Sequence, residues 1–357
     1  MTILSAMIKN KLTSRIVWFE LFLVATSMTG FSAHAADDFY SGKTIQMIVS
    51  SGSGVATDTA ARLVARYLGK HVPGSPTIVA RNMPGGGGLV AANYLYNIAK
   101  PDGLTLLAVS RANYLEQLAG RPEVKADFRK FSWIGSFNKS PMMVACRSDS
   151  PYKTLAAMRA AKTPPRFGQS GTGSVGYVFA SLVSKIFAVK MKHVTGFQSA
   201  RETDLGIERG EADCRAATDV VLLRPPWDRW MKDNFITFIL QQGPEKSNLV
   251  PPVATVYELA PAEAKPTVDL MSVMMAYTDF ERPFAAPPGV AAERLQILRD
   301  SFQRVWRDPE FAAEAKKLTD WDGSWHLTGE QLQKTMDAAI NQPAEVIKRI
   351  MEILAES

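Results

Sequence analysis

Three times along this chain a short apolar strand runs into a glycine-rich turn and then into a helix. Residues 45–51 lead into Gly52-Ser53-Gly54, residues 77–82 into Gly85 to Gly88, and residues 167–170 into Gly171-Thr172-Gly173-Ser174-Val175-Gly176. Repeated strand, turn and helix make βαβ units, and such units fold into a parallel sheet covered by helices. The turns also carry a chemical consequence. A helix N-terminus leaves backbone N–H groups free and a partial positive charge, while glycine lets a ligand approach the backbone closely, so each turn is a candidate cradle for an anion.

The pattern extends over most of the chain. Strands are expected at 43–51, 77–81 and 104–110, with helices near 57–69 and 88–99; Ala60, Ala61, Val64 and Leu68 form the apolar stripe of the first helix, and Thr57 or Asp58 is placed to cap it. The segment 131–137 opens a second set, with strands at 142–146, 166–169, 191–195, 216–223 and 235–240 and helices near 153–161 and 175–187. From Pro251 onward proline and alanine dominate, and helices are expected near 290–306, 308–317 and 329–355. This C-terminal segment is expected to pack back on the first lobe. The expected division is a leader at 1–35, a discontinuous first lobe from 36–138 with 275–357, and a second lobe from 139–274. Two α/β lobes joined by a double crossover enclose a cleft that closes by hinge motion.

The N-terminus reads as an export signal. Lys9, Lys11 and Arg15 precede a mostly apolar stretch from Ile16 to Phe31, and Ala33-His34-Ala35 offers a cleavage site, which predicts a mature periplasmic chain starting near Ala36. Glu20 interrupts the apolar run, and no later stretch approaches a membrane span. The formal charge of +6 comes from basic residues interspersed with acids, which gives nucleic acid binding little support and suits a receptor for acidic solutes. Cys146 and Cys214 are the two cysteines; an oxidising compartment permits a disulfide between them, and the sequence leaves that open against two separate buried thiols.

Catalytic signatures are missing from the sequence. His71, His193 and His326 stand apart, with no His-x-x-x-His or Cys-x-x-Cys, and no Gly-x-Ser-x-Gly elbow occurs, so neither a catalytic nor a metal site is expected. Gly171 to Gly176 matches Gly-x-Gly-x-x-Gly between a strand and a helix. The ribose-binding acid due about 20 residues later is lacking, however, and no cofactor is expected.

An ordered series of short motifs resembles the Bug family, the extracytoplasmic receptors of tripartite tricarboxylate transporters. The series runs through Ala56-Thr57-Asp58-Thr59-Ala60-Ala61-Arg62, Asn82-Met83-Pro84-Gly85-Gly86-Gly87-Gly88, Pro101-Asp102-Gly103-Leu104-Thr105, Phe131-Ser132-Trp133-Ile134-Gly135-Ser136, Thr195-Gly196-Phe197, Arg209-Gly210-Glu211-Ala212-Asp213 and Phe284-Ala285-Ala286-Pro287. The resemblance implies a two-lobed type II periplasmic binding protein fold of the Venus flytrap kind. It further implies a carboxylate ligand held between the lobes and delivery to a permease of one large and one small membrane subunit. The chain departs from the family in a less glycine-rich first loop, in Tyr177 where many members carry histidine, and in Phe197 where tyrosine is usual.

Candidate ligand contacts follow from both arguments. In the first lobe they are the backbone of Ser53, Gly54 and Val55, the helix start at Thr57 and Asp58, Gly87 in the second turn, and Arg111 at the end of its strand. Thr57 and Asp58 serve equally as caps, Arg111 equally as an ion-pair partner, and the Gly85–Gly88 turn equally as tight lobe packing. In the second lobe Ser170, Thr172, Gly173 and Ser174 would take the other end of a diacid, with Tyr177 and Phe197 as an aromatic wall or as core residues. The leading expectation is a monomeric receptor for a di- or tricarboxylate or an aromatic carboxylate. A sensor signalling to a two-component membrane kinase is the alternative.

Overall fold

The computed structural model describes residues 39–171, 174–197, 199–319, 321, 323 and 326–355; the expected leader lies outside them. The first lobe begins as expected, with β1 (Thr44–Val49), α1 (Ala56–His71), β2 (Thr77–Asn82), α2 (Leu89–Asn97), β3 (Thr105–Ala108) and a short α3 (Asn113–Leu118). β1 pairs in parallel with both β2 and β3. β4 (Ser132–Asn138) then carries the chain to β5 (Met142–Arg147), where a second sheet starts. That sheet continues through α4 (Leu155–Ala160), β6 (Arg166–Gly168), α5 (Val175–Phe187), β7 (Lys192–Val194), α6 (Ala200–Glu208), β8 (Cys214–Thr218), α7 (Trp227–Lys232) and β9 (Ile236–Gln241). The chain returns through α8 (Val256–Leu259), α9 (Lys265–Met274) and β10 (Glu281–Ala286), and ends in α10 (Ala292–Trp306), α11 (Pro309–Leu318), α12 (Gly329–Ile340) and α13 (Ala344–Ala355).

The strand orders are β2-β1-β3-β10-β4 and β7-β6-β8-β5-β9. Both sheets are mixed rather than parallel. β10 runs antiparallel to β3 and β4, and β5 runs antiparallel to β8 and β9. Each antiparallel strand is one that crosses between sheets, so its direction is set by where the chain enters rather than by a βα repeat. β10 was missed as a strand because Pro283 and Pro287 flank its apolar run. The single helix expected over 329–355 is two, since Pro343 lacks the N–H that would continue the first.

One core lies between sheet one and α1, α10 and α11, and includes Val64, Leu68, Phe137, Phe284, Phe302, Trp306 and Phe311. The C-terminal helices are bound to α1 by polar contacts as well: the Tyr67 hydroxyl donates to Glu314 (2.9 Å), Lys70 pairs with Glu310 and His71 with Asp308 (both 3.0 Å). The larger core runs from the other face of sheet one into sheet two, joined by Met271, Met274, Tyr277 and Phe280 of the returning segment. Within sheet two Cys146 and Cys214 stand opposite one another on β5 and β8 and form a disulfide, which closes the question the sequence left open. Closing a loop of 68 residues restricts the unfolded chain by about 4 kcal/mol in the chain-entropy account.

Two segments pass between the sheets, 139–141 and 242–280, and they are hydrogen-bonded to each other. The Gln242 side chain accepts from the Met142 N–H (3.0 Å) and donates to the Thr278 hydroxyl (2.8 Å); that hydroxyl donates to the Met275 carbonyl (2.7 Å), and the Ser140 N–H donates to the Thr278 carbonyl (2.7 Å). Ser140, Gln242 and Thr278 are all buried, so each of these groups depends on its partner. Replacing Gln242 by Leu leaves the Met142 N–H and the Thr278 hydroxyl without that partner and is expected to lower unfolding free energy by about 1–3 kcal/mol, read from urea denaturation.

Asp279 sits beside these crossings. Burial pushes its carboxyl up to about 6, against the opposing pull of Lys139 and with a further upward push from Glu245. A carboxyl raised in the folded state favours folding while protonated, so its ionisation costs stability as pH rises from about 4 to 6. Asp279→Asn is therefore expected to raise the thermal midpoint above pH 6 and to flatten its pH dependence between 4 and 6, measured by thermal scans across that range.

Candidate functional site

In sheet one the carboxyl ends of β1, β2 and β3 lie at one edge, because the three strands are parallel neighbours. Ligands in open α/β sheets bind at this edge. β1 delivers Ser50 and Ser51. The Asn82 side-chain amide at the end of β2 donates to the Ser51 carbonyl (2.9 Å) and to Asp58 (2.8 Å), which binds the first loop to the second strand.

Asp58 is 3% exposed and is engaged on all sides. It accepts from the Gly54 N–H (2.9 Å) and from Arg62 (2.9 Å) as well as from Asn82. Burial raises its carboxyl, but the hydrogen bonds from Arg62, Gly54 and Asn82 outweigh it, and the pKa lies below the usual carboxylate range. Asp58 is thus a support for the loop rather than a ligand contact. Its bond to Gly54 also removes that N–H from the donors expected of Ser53, Gly54 and Val55, all three of which are exposed and outside the cleft lining.

Neither Thr57 nor Asp58 caps α1. The N-cap residue is Val55, which offers no side-chain acceptor, so the first turn of a sixteen-residue helix has no side-chain cap, and Ala56 and Thr57 there line the cleft.

After β2 the chain passes through Gly85, Gly86, Gly87 and Gly88 with φ of +131°, +54°, +62° and +101°. Consecutive positive φ values are tolerable only without a Cβ. At Gly88 a Cβ would also stand 2.7 Å from Cβ of Ser110 and 3.2 Å from Cβ of Ser50, so the three strand ends meet at this glycine. At Gly87 a Cβ would meet nothing within 4 Å. The buried Asn113 amide donates to the Gly87 carbonyl (3.1 Å), fixing the turn from below. The turn therefore serves both packing, at Gly88, and an open face, at Gly87.

Arg111 lines the cleft but is held by an ion pair with Glu281 at the start of β10 and lies over the Tyr277 ring at 5.3 Å. The ion-pair role that the sequence allowed is present, and Arg111 also borders the cleft.

Among the described residues the opposite wall comes from the end of β8 and the turn after it. The strand expected through Leu223 stops at Thr218, and Asp219–Leu223 form a 3₁₀ turn. The turn is fixed by the Asp219 N–H donating to the Pro141 carbonyl (2.9 Å) and by the Ser247 hydroxyl donating to the Asp219 carboxylate (2.5 Å), while Val221 and Leu222 pack against Trp227 and Trp230. Thr218, Val220 and Arg224 thereby face the glycine turn across a cleft of about 630 Å³. Arg282 borders it too, at φ +50° in β10, where its guanidinium donates to Asn138 (3.1 Å).

Ser174 acts as the N-cap of α5, accepting from the Tyr177 N–H (3.3 Å) and donating to the Gly171 carbonyl (2.8 Å). Thr172 and Gly173 lie outside the described residues, and Ser170 is exposed. Tyr177 stacks on His193 at 4.2 Å between ring centres, and burial lowers the His193 pKa. Phe197 is buried against Gly168 and Gly206, where a Cβ at Gly206 would come within 2.6 Å of its ring. Neither ring is among the described residues that line this cleft, and both are engaged in packing within the second lobe.

Sequence reading missed Thr218, Arg224 and Arg282. The only signal for Arg224 was its place between the apolar run Val220–Leu223 and Pro225-Pro226, which by itself reads as a strand end.

Two α/β lobes, two crossings and a polar cleft at the sheet edges make the two-lobed fold of periplasmic binding proteins. Residues 60–204 match the family described as "Tripartite tricarboxylate transporter family receptor" (TctC). It is 29% identical over 202 residues to an Agrobacterium vitis protein described as "UPF0065 protein in the TAR-I ttuE-ttuC' intergenic region"; the match spans 54% of this chain and 55% of the relative, so the chain aligns with about half that protein's length. Its fold is similar to a TctC solute binding protein from Polaromonas, at 19% identity and TM-score 0.69 over 89% of this chain and 100% of that one. It is also similar to an R. palustris protein with adipate, at 16% identity and TM-score 0.55 over 87% and 97%. Among the described residues no three His, Cys, Asp or Glu side chains are grouped to hold a metal ion, and no helix is long and apolar enough to cross a membrane.

The two glycines of the turn separate backbone strain from steric conflict. Gly87→Ala is expected to cost about 1 kcal/mol, the penalty of the left-handed region alone, whereas Gly88→Ala adds the conflict with Ser110 and Ser50 and is expected to cost at least about 3 kcal/mol. Chemical denaturation of the two variants side by side checks the ranking.

Proposed function

We propose that this protein is an exported receptor that captures an organic carboxylate between its lobes and hands it to a tripartite tricarboxylate-type permease of a large and a small membrane subunit. It acts by binding, with no bond made or broken. The observation that carries this reading is the cradle at the edge of sheet one, where the uncapped start of α1, Ser50, Ser51 and the Gly85–Gly88 turn converge on one cleft with Thr218 and Arg224 opposite. Backbone N–H groups and hydroxyls in such an arrangement complement a carboxylate, and closure of the lobes would exclude water and strengthen those bonds. The family match over residues 60–204 and the adipate carried by one structural relative agree with a carboxylate ligand. The leader, read from sequence, accounts for export and for formation of the disulfide.

Isothermal calorimetry on the mature protein tests this, after unfolding and refolding without reductant to strip any bound ligand. Against a panel of mono-, di- and tricarboxylates and aromatic acids, submillimolar binding of one class is expected, weakened about tenfold in Gly87→Ala, whose methyl enters the cradle without disturbing its walls. A panel without binding would overturn the receptor reading.

A further inference from the structure

The cleft does not end at the cradle. A second hollow of about 770 Å³ opens beside it, lined by Leu223, Leu249, Leu318 and Trp321 and rimmed by Lys316 and Lys317. Ala56, Val220, Arg224 and Arg282 border both spaces, so the two adjoin, with Arg224 among the residues between them.

Three arginines reach these spaces, and they differ in what they already hold. Arg111 is engaged with Glu281, and Arg282 donates to Asn138. The exposed Arg224 side chain makes no hydrogen bond or ion pair with any described residue. Its backbone is nevertheless fixed, because it closes the 3₁₀ turn through an N–H bond to the Val221 carbonyl (3.2 Å) and that turn is anchored at Asp219. A guanidinium carried on a fixed backbone opposite this cradle would lose water on closure of the lobes, and a cation so desolvated needs an anion in place of that water.

Resting on the receptor reading, we infer that the ligand is a dicarboxylate with an apolar body: one acid group in the glycine cradle, the second paired with Arg224, and the body against Leu223, Leu249 and Trp321. A monocarboxylate fills the cradle and leaves Arg224 unpaired. A short, hydroxylated diacid leaves the apolar hollow empty. Arg224 is then the residue that sets specificity for a second acid group, and a guanidinium suits this because it takes a carboxylate with two parallel hydrogen bonds.

Two matched pairs of probes isolate the second acid group: adipate against hexanoate, and benzene-1,4-dicarboxylate against benzoate. Calorimetry on the refolded mature protein is expected to show at least one diacid binding about 10- to 100-fold more tightly than its monoacid, the effect of one charge-assisted pair. Arg224→Gln is expected to erase that ratio while leaving monoacid affinity and the thermal midpoint unchanged, and Arg224→Lys to restore part of it. Equal binding of diacid and monoacid to the unaltered protein would overturn the inference and leave the receptor reading standing. An Arg224→Gln variant that keeps the ratio, or weakens both members of a pair alike, would do the same. Absence of binding by every carboxylate would overturn both.

Discussion

The paired crossings between the sheets are the constraint on which the rest depends. Gln242, Thr278, Ser140 and Met142 bind segments 139–141 and 242–280 side by side, so hydrogen bonds join the two crossings beside the core the sheets share. Buried polar groups of this kind are costly to leave unmet, which makes the joint specific in geometry while the cleft beyond it stays accessible to solvent. The same joint positions the site. Asp219 is held to Pro141 and Glu281 to Arg111, so the walls of the cleft are fastened within a few residues of the crossings.

The proposed cradle would hold an anion with little side-chain chemistry. Three parallel strands end together, a four-glycine turn brings backbone to backbone, and Asp58, Asn82 and Asn113 spend their hydrogen bonds on the loops instead of on a ligand. The residues with the most conspicuous side chains are therefore supports. What faces the cleft is mostly helix start, glycine and serine, with arginines contributed from β10 and from the turn after β8.

Much of this was legible in the sequence. The strand–glycine turn–helix repeat predicted β1 to β3 and α1, the run Asn82 to Gly88 marked a turn that lines the cleft, and the motif series agrees with the family match over residues 60–204. Individual contacts were legible less often. Asp58 reads as a cap or a ligand from its position, and only the neighbouring loop and β2 reveal that it accepts from Gly54 and Asn82. Phe197 reads as a wall because a family tyrosine stands there, yet Gly168 and Gly206 open a buried slot for its ring.

By itself the sequence determined what depends on residues near in the chain: glycines where φ is positive, apolar periodicities, and an order of motifs that one family shares. Tertiary structure decided what depends on partners far apart. It joined Cys146 to Cys214, paired Arg111 with Glu281, ended β8 at Thr218 and set Arg224 facing the cradle. The physical reason is range. Backbone propensity and capping act over a few residues, whereas a cleft is formed by elements separated by more than a hundred positions and brought together by burial and hydrogen bonding across the joint.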